Sequence, residues 1–254
     1  MTSTLQTPSV IALDNAQLAL GSADGEVSIL KGIDLDIAAG ETVGVLGPSG
    51  AGKTSLLMVM AGLESLTGGS IALAGQDITT MGEDALAALR GNKVGIVFQA
   101  FRLIPSMTAV QNVAVPLELA GQRDATKPAT AALEAVGLGH RLHHLPDQLS
   151  GGEQQRVAIA RAIAPGPEIL LADEPTGNLD SATGDLVIKI LFEAAANAGA
   201  ALVLITHDAG LAHRCSRVLT IEDGKLASDT ARDSDNAPRS NAASNGSDAK
   251  KGAA

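Results

Sequence analysis

Residues 43–54 read Val-Gly-Val-Leu-Gly-Pro-Ser-Gly-Ala-Gly-Lys-Thr, and no other stretch constrains the fold as much. Val43 to Leu46 is a short apolar run bounded by glycine, the pattern of a strand buried on both faces. Lys53 to Ala61 sets Leu56, Leu57 and Met60 at helical spacing. Between them, Gly47-Pro48-Ser49-Gly50-Ala51-Gly52-Lys53-Thr54 has the spacing G-x-x-x-x-G-K-[ST] of a phosphate-binding loop. Glycines let backbone N–H groups turn inward as an anion nest, and the helix start adds partial positive charge. Lys53 can then reach the β and γ phosphates, while the Thr54 hydroxyl can ligate Mg²⁺. A chance glycine turn would lack the flanking strand and helix.

Outward from that loop the chain alternates. Ile33, Leu35 and Ile37 interleave with Asp34 and Asp36, a strand with one wet face. Lys93–Phe98, Ile169–Ala172 and Ala201–Thr206 are further buried runs, with helical patterns at Asp84–Arg90 and Ala182–Ala198. Strands alternating with helices imply a mostly parallel α/β sheet. From Phe101 to Pro165 the strand signal stops, and Ala109–Leu119, Thr126–Val136 and Gly152–Ile163 read as helices of an insert.

The 254 residues suffice for a real core, and 18 basic against 28 acidic side chains leave a formal charge of −10. That balance argues against nucleic acid as a partner, which would call for clustered Lys and Arg. Cys215 is the single cysteine, so no disulfide forms within the chain, and a small core filler is the expected role. The N-terminus lacks a signal peptide's basic start and apolar run. The most membrane-like stretch, Ala194–Thr206, is 13 uncharged residues interrupted by Asn197 and Gly199, short of the about 20 a membrane helix requires. A membrane role is therefore expected to come through a partner. Asp229–Ala254 contains no Val, Ile, Leu, Met or Phe. It is expected to be a disordered tail.

Three other motifs bear on chemistry. Ile169-Leu170-Leu171-Ala172-Asp173-Glu174 ends a buried run on two carboxylates. Asp173 is placed to hold Mg²⁺ and Glu174 to polarise an attacking water. Ser150-Gly151-Gly152-Glu153-Gln154 opens a helix, with Ser150 and Glu153 forming a capping box. A Ser-Gly-Gly at a positive helix end is also a second anion site, which suggests a nucleotide shared between two subunits. His140, His143 and His144 lack a converging Cys or carboxylate set, so no metal is expected there.

Taken together, these motifs resemble the nucleotide-binding subunit of an ABC transporter over about residues 8–228. The resemblance implies a RecA-like P-loop ATPase core (8–100 and 165–228), an antiparallel β portion at its N-terminal side, and a helical insert at about 101–164. It makes Gly47, Pro48, Ser49, Gly50, Ala51, Gly52, Lys53, Thr54 and Ser55 the Walker A contacts. Gln99 becomes the Q-loop residue, sensing Mg²⁺ alongside Thr54 and Asp173. Ser150, Gly151, Gly152 and Gln154 become the signature that meets a partner subunit's ATP, and Asp180 belongs to the D-loop. Glu174 is implied as general base, with His207 as the switch histidine near the γ-phosphate. A single histidine after a strand is otherwise usually a core or capping residue.

Val97-Phe98-Gln99-Ala100-Phe101-Arg102 and Asp173-Glu174-Pro175-Thr176-Gly177-Asn178-Leu179-Asp180 are similar to the lipoprotein-release, macrolide-export and cell-division group. Gly137–Leu142 and His143–Pro146 look closest to its YbbA-type ATPases. The resemblance implies ATP and Mg²⁺ as cofactors, and a second copy of the chain across the ATP sandwich. It also implies an integral membrane permease as partner and a cytoplasmic position against the inner face of the membrane. The alternative is an ATPase that transmits force to an envelope complex without moving solute. Two departures stand out. Gln111 replaces a common Glu, and no aromatic residue lies near Leu18–Gly21, where the family commonly stacks adenine.

Overall fold

The computed structural model describes residues 9–22 and 25–231. Its strands are β1 (Ser9–Ser22), β2 (Gly25–Ala38), β3 (Thr42–Leu46), β4 (Gly68–Leu73), β5 (Gln76–Asp77), β6 (Val94–Phe98), β7 (Ile169–Asp173), β8 (Ala201–Ile205), β9 (Arg217–Glu222) and β10 (Lys225–Asp229). The helices are α1 (Lys53–Met60), α2 (Glu83–Lys93), α3 (Ala109–Leu119), α4 (Thr126–Ala135), α5 (Gly151–Ile163), α6 (Ser181–Ala198) and α7 (Ala209–Ala212).

A six-stranded sheet in the order β10-β9-β3-β8-β7-β6 forms the centre, parallel from β9 to β6 with β10 antiparallel at one edge. Alternate residues of each central strand point to opposite faces. Ile169 and Leu171, with Ala201, Val203 and Ile205, pack toward α1 and the antiparallel sheet β2-β1-β4-β5. Leu170 and Ala172, with Leu202 and Leu204, pack instead against α3, α4, α5 and α6. Both faces are dry, which explains why these strands read as unbroken apolar runs. Each Val, Leu or Ile so buried contributes about 1.5–3 kcal/mol.

Gln111 turns out to be structural. It is the third residue of α3, its Oε1 accepts from the Thr108 N–H at 2.8 Å, and the Thr108 hydroxyl caps in return. A carboxylate would accept the same bond. One boundary also moves. Asp229, expected to open the tail, is the last residue of β10, and its carboxylate is 3% exposed. It accepts two bonds from Arg217, at 2.8 and 2.7 Å. Composition could not reveal this, because the anchor is an ion pair and not an apolar side chain. Thr230 and Ala231 are ordered with it, the Thr230 hydroxyl accepting from the Val218 N–H at 3.0 Å and the Ala231 N–H donating to Asp229 at 3.1 Å, while 232–254 lies outside the described residues. No helix among the described residues is long and apolar enough to cross a membrane.

Candidate functional site

Four loops leave the carboxyl ends of the adjacent parallel strands β3, β8, β7 and β6, the usual place for a ligand on such a sheet. They carry the phosphate loop, His207, Glu174 and Gln99 respectively. Together they line one cleft of about 600 Å³.

The phosphate loop depends on its glycines by close approach. A Cβ on Gly47 (φ 150°) would sit 2.1 Å from the Ile221 carbonyl oxygen. Gly52 caps α1 in the left-handed region (φ 99°), and no side chain caps that helix. The first N–H groups of α1 are thus left for a ligand. The Lys53 ammonium donates to the carbonyls of Gly47 and Pro48, both at 2.8 Å, so it stands within the curl of the loop.

Thr54 donates its hydroxyl to Asp173 Oδ2 at 3.2 Å, joining the two halves of the expected cation site. Burial, chiefly, together with the charge of Glu174 pushes the Asp173 carboxyl up, opposed by the Thr54 bond. A hydroxyl and a desolvated carboxylate, with the Gln99 amide in the same cleft, form an all-oxygen donor set that suits a hard divalent cation. Few protein ligands fit Mg²⁺, which keeps waters and phosphate oxygens for the rest.

Glu174 follows directly. Its backbone is left-handed (φ 44°), and its N–H donates to the Ile205 carbonyl at 3.0 Å. The carboxylate meets His207 Nδ1 at 3.0 and 2.9 Å through its two oxygens. An ionised carboxylate only accepts, so Nδ1 carries the proton in this contact. The His207 side chain is 78% exposed and that of Glu174 19%. This is a surface histidine on a recessed carboxylate, and not a core histidine.

Gln99 is held from the loop after β7. Asn178 Nδ2 donates to the Gln99 carbonyl at 3.0 Å, and a Cβ on Gly177 would lie 2.5 Å from Gln99 Nε2. A side chain at Gly177 would therefore displace the Gln99 amide from its present position.

The signature residues stand apart. Ser150, Gly151, Gly152, Gln154 and Asp180 are not among the residues lining the cleft. Neither are Pro48, which turns the phosphate loop, and Ala51, which is buried beneath it. Ser150 caps α5: its hydroxyl accepts from the Glu153 N–H, and Glu153 Oε2 accepts from the Ser150 N–H at 2.9 Å. That backbone bond holds the Glu153 carboxyl below the usual range, and Arg141 donates to it at 2.9 Å. Asp180 similarly caps α6 by accepting from the Thr183 N–H.

Sequence reasoning missed Ile29, Ile205 and Gly177 as cleft residues. Ile29 is the extra residue of a bulge in β2, between the pairs Leu18–Leu30 and Ala19–Ser28. Bulges re-aim side chains, and no sequence signal announces this one. None of Leu18–Gly21 lines the cleft, whereas Ile29 does. Leu20 instead pairs across with Val27, both being exposed.

The sequence profile of the ABC transporter family matches residues 30–177. The chain is 46% identical over 219 residues to the uncharacterised ABC transporter ATP-binding protein YbbA of Escherichia coli K12, spanning 85% of this chain and 96% of that one. It is 47% identical to the lipoprotein-releasing system ATP-binding protein LolD 2 of Caulobacter vibrioides, with the same two coverages. Among solved structures, the dimeric ATP-binding cassette MJ0796 in a post-hydrolysis state with ADP and Pi superposes with a TM-score of 0.79. That match has 36% identity and covers 86% of this chain and 97% of the other.

Proposed function

The chain belongs to the ABC transporter family, and from that premise we propose how its residues divide the work of an ATP-hydrolysing transporter subunit. The chain binds ATP in its cleft and closes against a second copy around two nucleotides, and that movement drives a separate membrane permease. It thus sits peripherally at the membrane. MJ0796 forms a dimer with ADP and Pi, and LolD 2 is the ATP-binding part of a lipoprotein-releasing system. Both support the reading.

The observation that carries it is the convergence of Lys53, Thr54, Gln99, Asp173, Glu174 and His207 on one cleft. Lys53 and the α1 N-terminus hold the phosphates. Thr54, Asp173 and Gln99 are the residues for Mg²⁺, which when bound neutralises phosphate charge. Glu174 accepts a proton from the attacking water, and His207 orients that carboxylate. Ser150, Gly151, Gly152 and Gln154, outside the cleft of their own chain, contact the partner's nucleotide, with Asp180 beside them.

Glu174→Gln tests the assignment. The amide keeps the shape but not the basicity, so turnover should fall by about a hundredfold or more. ATP binding should persist, and an ATP-dependent dimer should accumulate on gel filtration. Near-normal hydrolysis by this variant would overturn the role of Glu174.

A further inference from the structure

We infer that Arg161 is a positioning residue that ties the Gln99 loop to the helix carrying Ser150, so that occupancy of one cleft is felt at the signature presented to the other. The inference rests on the proposed nucleotide contacts of Gln99 and Ser150 and extends them to coupling between the two sites of the dimer.

The loop after β6 is laid along α5. Arg161 Nη2 donates to the Phe101 carbonyl at 2.9 Å, and Nη1 to the Arg102 carbonyl at 2.6 Å. The other arginine of α5, Arg156, takes no part in this brace and donates to the Val136 carbonyl at 3.1 Å. A second arm comes from Gln155, whose Nε2 donates to the Phe98 carbonyl at 3.3 Å. At the start of α5, Phe101 closes the contact, because a Cβ on Gly151 would be 3.7 Å from its Cζ. Within the loop, the Arg102 guanidinium lies 4.3 Å above the Phe98 ring.

Two features show that the loop is held and not merely resting. Phe101 and Arg102 are consecutive non-glycine residues with φ of 50°, a conformation that persists only where surroundings over-determine it. Gln155 is fully buried, yet its Oε1 has no partner among the described residues. A hydrocarbon of that size would fill the space without an orphaned oxygen. What the amide adds is the bond to Phe98. Burial lowers the Arg161 pKa, but a guanidinium remains charged. Its planar fork can hold two neighbouring carbonyls at once, and the ammonium of a lysine cannot reproduce that geometry.

The consequence is mechanical. Ser150 and Arg161 are 11 positions apart on one helix, about 16 Å at 1.5 Å per residue. A helix of that length transmits displacement as a rigid rod. When Gln99 shifts with the contents of its cleft, the carbonyls that follow it pull on Arg161, and Ser150 moves with them.

Arg161→Lys in the full chain is the test. We expect kcat to fall about tenfold while KM for ATP stays within about twofold, since ground-state binding is not touched. On a Gln99→Ala background the same change should cost less than about twofold more, because both act through one loop. A kcat within twofold of the unsubstituted chain, or losses that multiply in the double variant, would overturn the coupling. The chain has no Trp, so Phe101→Trp makes a single reporter in the loop. Arg161→Lys in that background should lower its fluorescence anisotropy, and unchanged anisotropy would overturn the brace. If Gln99→Ala alone leaves turnover intact, the role of Gln99 fails, and the anisotropy still decides the brace. Should Arg161→Lys not fold, Gln155→Met, which fills the same space without the Phe98 bond, takes its place under the same criteria.

Discussion

Two helix N-termini are assigned to nucleotide phosphates, and they are built in opposite ways. α1 begins at a left-handed glycine with no side-chain cap and no acid in its first turn. α5 begins at a capped serine, and Glu153 places a carboxylate in its first turn. The orphan N–H groups of a helix start can be satisfied by a side chain or by a ligand. α1 leaves them for the ligand and adds the Lys53 charge; α5 satisfies part of its own. The first is a phosphate site that a single chain completes. The second is suited to add to a phosphate that other groups already hold, which is the role proposed for it as a partner's signature.

The sharpest way to break this contrast is to compare Lys53→Ala with Ser150→Leu. Losing the ammonium should weaken ATP binding by about 3 kcal/mol, roughly a hundredfold in Kd. Ser150→Leu should leave the affinity of the isolated chain within about twofold and lower turnover by about tenfold or more. Nucleotide titrations beside steady-state rates measure both. Equal losses of affinity would erase the distinction.

Mixing the two variants goes further. If each site combines one chain's α1 with the other's α5, a mixed dimer holds one intact site and one doubly damaged site. Random pairing in equal amounts should then restore up to roughly a quarter of the unsubstituted turnover, the full quarter being reached where the intact site turns over independently of its neighbour. Recovery above either variant alone would show that the sites are shared, whereas none would mean that they are not shared or that a doubly damaged site silences its neighbour.

The capping box offers a smaller test. The Glu153 carboxyl is held below the usual range chiefly by the Ser150 N–H. Its folded-state value is thus depressed, so its contribution is present above the ordinary carboxylate range and is lost as pH falls through the lowered value. Glu153→Gln should cost about 1 kcal/mol at pH 7, and the difference should shrink toward zero below about pH 4. Melting curves of both proteins across that range decide it. A difference that does not depend on pH would show that the charge of Glu153 is immaterial to the cap.

The smallest effect concerns the base. Every polar group in the contrast above is assigned to phosphate, and the cleft is lined by the aliphatic Ile29 and by no aromatic residue. An aromatic platform would add about 1–3 kcal/mol of stacking; an aliphatic one has little means to tell purines apart. ATP and GTP should therefore bind with Kd values within about tenfold of each other. A hundredfold preference for ATP would reveal a polar group that reads adenine.

Much of the fold and half of the site can be read from local pattern. Val43–Leu46, Ile169–Ala172 and Ala201–Ile205 are legible as strands because burial on both faces demands unbroken apolar runs. The phosphate loop and the Asp173-Glu174 pair are legible because each chemistry lies within a few consecutive residues. Asp229 escapes such a reading for the complementary reason. Its folding partner, Arg217, is 12 residues away, and composition alone cannot pair two charges.

By itself, then, the sequence determined the central parallel strands and the longer helices, and it marked the residues proposed for phosphate, cation and proton chemistry. Those properties follow from short-range periodicity and residue type. Tertiary structure alone decided that Ile29 would bulge into the cleft, that Gly177 must make room for Gln99, and that Glu174 would meet His207. It alone decided that Phe101 and Arg102 would be pinned to α5 by Arg161. Each of these depends on the register between strands or the docking of a helix on a loop, and those are set by packing among residues far apart in the chain.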